Sequence, residues 1–308
     1  MHELSKLIFD KYQVRKTEAQ KTAFIELLRL YYPDLQIEES PFPLTRNLII
    51  GDTNTASVVV SAHYDTCAKL PFPNFLAPKN IFITLLYCLT IAIPFLMLMV
   101  LIQEILFLIW GYQPFHFSIA YAIVLTLLIW ISMFGKPNEH TANDNTSGVI
   151  ALCELLERLT PKQRKETAIV FFDNEEYGLL GSGSFRKLHK NRLKDCLLIN
   201  LDCISDGDHI LLALSKSARH QYGTLIKSSF EDSDGKQFYF EKSSSVLYPS
   251  DHIYFPMHIG ISALKKKRWI GLYMDKIHTK HDTNFDESNI ECICNGIQTL
   301  IEKAVNAP

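Results

Sequence analysis

The stretch TAIVFFDNEEYGLLGS, residues 167–182, joins an apolar run to a pair of glutamates and a turn that contains two glycines. A short apolar run bounded by turn signals is typical of a buried strand. Glu175 and Glu176 are neighbours on an extended segment, so their side chains are expected to diverge and can serve two different roles. A solvated acidic turn is the alternative interpretation, and the preceding strand and the following GLLGS favour a functional site.

Four further polar motifs have the same setting, because each stands at the end of an apolar run. They are SAHYDT at 61–66, NDNTSG at 143–148, NLD at 200–202 and IHTKHDT at 277–283. A set of histidines and carboxylates without thiolates suits a hydrolytic zinc site better than a structural one. Together with the glutamates, the motifs supply such a set: His63, Asp144, Glu175, Glu176, Asp202 and His278.

Asp65 is expected to lie behind His63. The segment VVVSAHYD is typical of a buried strand that runs into a loop, and residues two apart on a strand face the same way. A carboxylate on the far nitrogen of a metal-bound imidazole fixes the tautomer and the orientation of that ring. A partly buried His–Asp pair without a metal is the alternative.

Charge counting favours two zinc ions per chain. Asp144, Glu176 and Asp202 contribute three negative charges, and a bridging hydroxide would add a fourth. Two Zn²⁺ ions would neutralise this set, whereas one would leave an anionic pocket, which is costly where solvent is partly excluded. Asp206 and Asp208 are weaker alternatives to Asp202.

The ordered series HxD, DN before a small-residue helix start, EExGLxGS, NLD, SDH and HTxxD resembles the M28 family of co-catalytic zinc aminopeptidases and carboxypeptidases. The match spans roughly residues 45–300 and is interrupted by one insertion. The family pattern selects His278 over the competing His281 as the last ligand, and it leaves Asp282 as an orienting or structural group.

The resemblance implies a role for each site residue. Glu175 would be the general base, which takes a proton from a zinc-bridging water and returns it to the leaving amine. The peptide bond between Asp144 and Asn145 is implied to be cis. The implied ligand set is His63 and Asp202 on one zinc and Glu176 and His278 on the other, with Asp144 as the bridge.

The main departure from the soluble members of the family is an insertion, residues 79–136, between the first two ligand motifs. It contains two apolar stretches, each long enough to span a bilayer, for which about 20 residues suffice. Trp110, Tyr112 and Phe115 near the connecting turn suit an interfacial belt. Two spans return the chain to the side that it left, as they must if ligands from both sides of the insertion share a metal. The expected organisation is a discontinuous zinc peptidase domain, residues 1–78 and 137–308, with a transmembrane helical hairpin at 79–136.

Basic residues predict the orientation of the hairpin. Lys69, Lys79 and Lys136 flank it on the catalytic side, while the far end has Glu104 and no Lys or Arg. The positive-inside rule then places the catalytic domain in the cytoplasm, as part of an integral membrane protein. Seven cysteines without paired spacing also fit a reducing compartment, and residues 1–30 lack a signal-peptide pattern.

These features together predict a membrane-anchored di-zinc metallopeptidase, and the family resemblance implies an aminopeptidase that removes N-terminal residues. The motifs themselves do not decide which peptide end is recognised. One alternative is a glutaminyl-cyclase-like acyltransferase, a group that shares the fold with a single zinc. Another is a non-catalytic membrane peptide-binding protein, a class that usually lacks ligands. Tyr248, before the SDH motif, is a candidate oxyanion donor.

Outside the hairpin, strands that alternate with helices predict an α/β fold with a mostly parallel mixed sheet, covered by helices, and a site at its carboxyl edge. The net charge of −2 argues against nucleic acid as a partner, which leaves peptide substrate and lipid bilayer. The basic run 265–268 is interpreted as a solvated strand edge or loop, with contact to anionic lipid headgroups as the alternative. Strands are predicted at 47–50, 57–61, 167–172, 197–201, 209–214 and 238–241, and helices at 4–31, 146–159, 182–190, 217–230 and 287–305.

Overall fold

Three buried runs form the centre of the sheet. Every residue of β3 (Val58–His63), β4 (Thr167–Phe172) and β5 (Leu197–Leu201) is buried. Such runs are typical of parallel strands that are covered on both faces. The computed structural model describes residues 1–232 and 235–305. The other strands are β1 (Gln36–Pro41), β2 (Leu44–Ile50), β6 (His209–Leu214), β7 (Gln237–Lys242), β8 (His258–Lys267) and β9 (Gly271–Tyr273).

The strand order is β1-β2-β4-β3-β5-β8-β6-β7, and β9 pairs with the end of β8. The α/β sheet is mixed, and the prediction that it is mostly parallel is wrong. Strands β4, β3, β5 and β8 run parallel, and so do β6 and β7, whereas β1, β2, β6 and β9 each join a neighbour in antiparallel fashion. At the β1 edge of the sheet, the tight turn at Phe42 and Pro43 joins β1 directly to β2. Two strands joined by such a short turn can pair only in antiparallel fashion.

Helices cover both faces of the sheet. The helices in the described part of the chain, including the two of the insertion, are α1 (Glu3–Lys11), α2 (Glu18–Tyr31), α3 (Ile81–Trp110), α4 (His116–Phe134), α5 (Gly148–Arg158), α6 (Pro161–Glu166), α7 (Leu180–Leu188), α8 (Lys216–Ser229) and α9 (Glu287–Val305). Val58 and Val60 point into the larger core, which α1, α5, α8 and α9 complete, while Val59 points into a smaller core closed by Phe185 of α7. This alternation follows from the two-residue period of a strand.

The N-terminal region forms two helices instead of the single helix predicted at 4–31. The chain leaves the helical path between α1 and α2, and this break turns Arg15 inward. Arg15 is fully buried; its Nε donates to the Tyr64 carbonyl at 2.5 Å and its backbone N–H to Thr66 Oγ1 at 2.9 Å. Thr17 then caps α2 in a capping box with Gln20. Bonds to the loop after β3 thus outweigh the helical periodicity of the sequence.

The insertion folds as α3 and α4, which pack on each other and project from the sheet. Both helices are long and apolar enough to cross a membrane, by length and composition. Their side chains are mostly exposed: in α3 only Thr84 is buried, and in α4 only His116 and Ala120. The chain segments before and after the two helices meet, because the Lys69 N–H donates to the Lys136 carbonyl at 2.9 Å.

Candidate metal centre

The parallel strands bring the predicted site residues to one edge of the sheet. His63 ends β3, Glu175 and Glu176 follow β4, and Asp202 follows β5. The carboxyl ends of neighbouring parallel strands meet at one edge, which is where α/β proteins place their ligands. Asp144 reaches the same place from the irregular turn Ala142–Ser147, just before α5.

Asp144 lies between two histidines. Its Oδ1 is 3.3 Å from His63 Nε2, and its Oδ2 is 2.9 Å from His278 Nε2. The peptide bond from Asp144 to Asn145 is cis, as the family resemblance implied. One carboxylate therefore faces two imidazole nitrogens with two different oxygens, which divides the cluster into two halves.

Each half of the cluster contains one histidine and one further carboxylate. On one side, Asp202 Oδ1 lies 3.6 Å from His63 Nε2. On the other, Glu176 Oε2 lies 3.3 Å from His278 Nε2, and Glu176 Oε1 is buried without a hydrogen-bond partner among the described residues. Ligand atoms of His63, Asp144 and Asp202 all lie within 4.8 Å of one another, so they can hold a metal ion together.

The backbone of His278 has an unusual conformation and is fixed by a hydrogen bond. Its φ of 60° lies in the left-handed region, which is uncommon for a residue other than glycine. Its carbonyl accepts from the Leu70 N–H at 2.8 Å, so the loop that leads to the hairpin supports this side of the cluster.

Asp65 lies behind His63, but its carboxylate has a different partner from the one expected. His63 Nδ1 is 3.1 Å from the Asp65 backbone carbonyl and 3.6 Å from the Asp65 carboxylate. The carboxylate instead accepts the backbone N–H groups of Glu175 at 3.0 Å and Glu176 at 3.1 Å. Asp65 therefore orients the ring with its main chain and the paired glutamates with its side chain.

Asp282 orients the loop on the other side of the cluster, as Asp65 does for the glutamates. Its two carboxylate oxygens accept the N–H groups of Asn143 at 2.9 Å and of Asp144 at 3.0 Å. Burial and the charge of Asp144 raise the pKa of Asp282 to about 8. Two buried carboxylates thus fix the two loops that carry Asp144 and the glutamates.

The cluster concentrates negative charge away from water. Burial raises the pKa of Glu175 well above its ordinary value and that of Glu176 to about 8. Burial lowers the pKa of His278, but the charges of Glu176 and Asp144 outweigh it and raise that pKa to about 9. A bound cation would favour the ionised form of both carboxyl groups, because carboxylates bind metals in the deprotonated form. The unpaired Glu176 Oε1 and the donor set fit a zinc site.

The weaker ligand alternatives lie outside the cluster. Asp206 Oδ2 pairs with Lys265 Nζ at 2.8 Å, and Asp208 Oδ1 pairs with Lys236 Nζ at 2.7 Å. His281 is exposed. Tyr248 donates its hydroxyl to the Asp202 backbone carbonyl at 2.7 Å, so it supports a ligand loop instead of offering a free oxyanion donor.

Two further buried residues lie near the site, and the motif analysis gave neither of them a ligand role. Cys67 is buried, and its sulfur lies within 4.8 Å of ligand atoms of Glu176 and His278. Asp251 is fully buried, and burial raises its pKa to about 7. Asp251 is the aspartate of the SDH motif. Nothing in the local sequence marks Cys67, because its proximity depends on the path of the loop after β3.

The fold is shared with several solved structures. LapA aminopeptidase of Legionella pneumophila matches with a TM-score of 0.55 and 11% identity, over 99% of this chain and 70% of that chain. LapB of the same organism matches with a TM-score of 0.54 and 12% identity, over 99% and 71%. A glutaminyl cyclase of Macrostomum lignano matches with a TM-score of 0.52 and 14% identity, over 98% and 88%. Identities this low show the fold alone. No curated protein matches the chain.

A cluster of histidines and carboxylates at the carboxyl edge of a mixed α/β sheet has the donor set and the position of a hydrolytic zinc site. The family model described as peptidase family M28 matches residues 130–293, more than half of the chain. The chain belongs to peptidase family M28, and it is a zinc metallopeptidase that acts on peptides.

Proposed function

We propose that the chain is a membrane-anchored aminopeptidase that uses two zinc ions and Glu175 as its general base. The observation that carries this proposal is the placement of the Asp144 carboxylate, whose two oxygens face His63 and His278 at 3.3 and 2.9 Å. A carboxylate in this position can bridge two cations. The residues that would hold them are His63 and Asp202 on one side and Glu176 and His278 on the other, with Asp144 between.

The charge of the cluster supports two cations over one. Asp144, Glu176 and Asp202 are buried side chains, at most 9% exposed. Buried anions without compensating cations are costly. Zinc, when bound, would supply Lewis acidity toward a substrate carbonyl and would acidify water.

We assign the proton transfer to Glu175. Its backbone is held by the Asp65 carboxylate, and a carboxyl oxygen lies within 4.8 Å of ligand atoms of His63 and Glu176. Burial raises the pKa of Glu175, and the charge of bound cations would lower it, which favours the carboxylate form that a general base needs. Its carboxylate then takes a proton from water and returns it to the departing amine nitrogen. Asp65 contributes as a positioning residue for His63 and both glutamates.

The hairpin is proposed as a membrane anchor. Residues 1–78 and 137–308 would form one discontinuous peptidase domain, and residues 79–136 would cross the bilayer twice. Support comes from the length and exposure of the two apolar helices and from the junction at which Lys69 and Lys136 meet. The basic residues on that side favour a cytoplasmic peptidase domain.

The test is turnover of a small peptide panel by detergent-purified protein, with zinc content measured on the same samples. We expect release of the N-terminal residue from unblocked peptides, no reaction of their N-acetylated counterparts, and about two zinc ions per chain. A peptide with N-terminal glutamine distinguishes the acyltransferase alternative. Cyclisation with loss of ammonia, together with one zinc per chain, would contradict the proposal. Bound zinc without turnover of any peptide would favour a peptide-binding protein.

A further inference from the structure

Strand β8 extends far beyond the edge of the sheet that carries the metal cluster. It pairs with β5 only over His258–Ile261, and β5 ends at Leu201, next to Asp202. The remaining six residues of β8 continue in the same direction, supported by β6 and β9. At about 3.3 Å per residue, the tip of β8 reaches roughly 20 Å past the carboxyl end of β5. The β8–β9 turn therefore projects on the same side as the hairpin.

The tip of this turn lies at the level where the hairpin begins. Asn80, which caps the first turn of α3, donates its side-chain amide to the Ile270 carbonyl at 3.1 Å. Phe75 lies between the two elements: its ring is stacked on that of Tyr273 of β9, with centroids 5.7 Å apart, and tilted against that of Tyr87 of α3, at 5.9 Å. The turn is thus packed against the first part of the apolar helix, next to exposed Ile81.

The residues of the turn are exposed and basic, with one large aromatic ring. Trp269 is 79% exposed, and the Arg268 guanidinium lies 5.1 Å from the centre of its ring. Lys265 Nζ forms ion pairs with Asp206 Oδ2 at 2.8 Å and with Asp275 Oδ1 at 2.6 Å. Within residues 1–232 and 235–305, no carboxylate pairs with Lys267 or Arg268.

We propose that Lys267, Arg268 and Trp269 form a docking surface for anionic phospholipid headgroups beside the first turn of α3. Tryptophan is enriched at the membrane–water interface, because one side of its ring system is apolar and its N–H is polar. Lysine and arginine near an anionic leaflet are attracted to its negative surface potential. The headgroup contact that was the less favoured interpretation of the basic run is therefore supported by the position of the turn.

Docking at this turn would complete the attachment that the hairpin begins. A hairpin alone allows the peptidase domain to tilt about the chain segments that enter the bilayer. A second contact on β8 would hold the carboxyl edge of the sheet, and with it the metal cluster, toward the membrane surface. The inference rests on the proposed insertion of the hairpin, and the test below separates the two.

The chain has three tryptophans, Trp110, Trp130 and Trp269, which makes the turn directly observable. The double variant Trp110→Phe/Trp130→Phe leaves Trp269 as the single reporter, and Trp110→Phe/Trp269→Phe leaves Trp130 inside α4. Each protein is placed in nanodiscs of zwitterionic lipid or of lipid with an anionic fraction. Lipids brominated near the headgroup end of the acyl chain then quench any tryptophan close to the interface.

We expect the Trp269 emission to shift to shorter wavelength and to be quenched in anionic nanodiscs, and less so in zwitterionic ones. Lys267→Gln/Arg268→Gln in the same background should remove the difference between the two lipids, and high salt should do the same, because it screens exposed charges. The matched control, Lys165→Gln/Lys216→Gln, neutralises two exposed lysines beside the opposite ends of the strands and should leave the quenching unchanged.

Quenching of Trp130 without quenching of Trp269 would overturn the docking surface and leave the hairpin inserted. Equal quenching of Trp269 in both lipids would overturn the role of the anionic headgroup. Absence of quenching for both tryptophans would overturn membrane insertion, and the docking surface with it. Zinc content of each variant verifies that the protein has folded.

Discussion

The metal cluster and the hairpin depart from the usual distribution of side chains in opposite directions. In the cluster, Asp144 and Asp202 are only 3% and 6% exposed, although they are carboxylates. In the hairpin, Phe82 and Leu108 are 71% and 80% exposed, although they are large and apolar. Each arrangement is costly in water and becomes favourable with a suitable partner, which is a cation for the first and hydrocarbon for the second.

The two regions also differ in how many residues each one depends on. The cluster depends on a few side chains brought together from distant parts of the chain, so one substitution can abolish it. The hairpin depends on composition over two long helices, so single substitutions change it little. A test of the hairpin must therefore address its topology, whereas a test of the cluster can address single atoms.

The largest expected effect is an all-or-none difference in labelling across the membrane. In a Cys88→Ser/Cys292→Ser background, we expect an impermeant maleimide to label Gln113→Cys in intact cells. Glu139→Cys, on the peptidase side, should react only after the membrane is permeabilised. The reason is the basic flank of the hairpin and the absence of Lys and Arg from its far end. The reverse pattern would place the peptidase domain outside the cytoplasm, and labelling of both sites in intact cells would argue against a membrane-spanning hairpin.

In the cluster, Glu175→Gln should lower kcat by about 10²–10⁴-fold, the usual contribution of a general base. The zinc content should stay unchanged, because the proposed ligands remain. Glu176→Gln is the matched control on the neighbouring residue, and it should lose zinc together with activity. Turnover and metal content measured on both variants decide the assignment: zinc lost from the first and retained by the second would exchange the two roles.

Much of the cluster could be predicted because its residues follow apolar strands directly. The strands of Val58–His63, Thr167–Phe172 and Leu197–Leu201 are visible as continuous apolar runs, and their parallel pairing brings the ligands together. The family series supplied the division of roles, which spacing alone could not supply. For these residues, the end of an apolar run in the sequence is also the end of a strand at the edge that carries the cluster.

The parts that could not be predicted depend on contacts distant in sequence. Asp65 accepts two N–H groups from residues 110 and 111 positions away, which no local pattern indicates. The segment 258–267 pairs with β5 on one side and β6 on the other, yet its three consecutive lysines conceal the strand. The break after α1 follows from the bonds of buried Arg15 to the loop after β3.

A buried ion pair near the cluster provides a contrast, since here the protein supplies its own cation. Lys21 Nζ lies 3.0 Å from Asp173 Oδ1, and both side chains are 2% exposed. Lys21→Met should destabilise the fold by about 3–5 kcal/mol, because it leaves a buried carboxylate without its partner. The apparent melting temperature should fall by roughly 10 °C. In Lys21→Met/Asp173→Asn the loss should be smaller; an equal or larger loss would mean that the methionine packs badly, and that the charge is not the cause.

The smallest expected effect concerns the contact between the two regions. Lys16 Nζ donates to the Met133 carbonyl near the end of α4 at 2.6 Å and to the Tyr177 hydroxyl at 3.1 Å. Tyr177 follows Glu176, and its ring lies 6.1 Å from that of Phe134. Lys16→Met should lower kcat/KM by about tenfold, which corresponds to the loss of one charge-assisted hydrogen bond.

The variants Lys11→Met and Tyr177→Phe show whether that loss reflects the contact itself. Lys11 is exposed at the end of α1, so Lys11→Met should leave turnover unchanged. Tyr177→Phe retains the ring beside Phe134 and removes only the hydroxyl, so its effect should be smaller than that of Lys16→Met. Unchanged kcat/KM for Lys16→Met in nanodiscs would mean that the hairpin only holds the peptidase domain at the membrane. A loss confined to Lys16→Met and Tyr177→Phe would mean that the hairpin also helps to position the loop of Glu175 and Glu176, because Tyr177 follows Glu176 and Lys16 joins its hydroxyl to the end of α4.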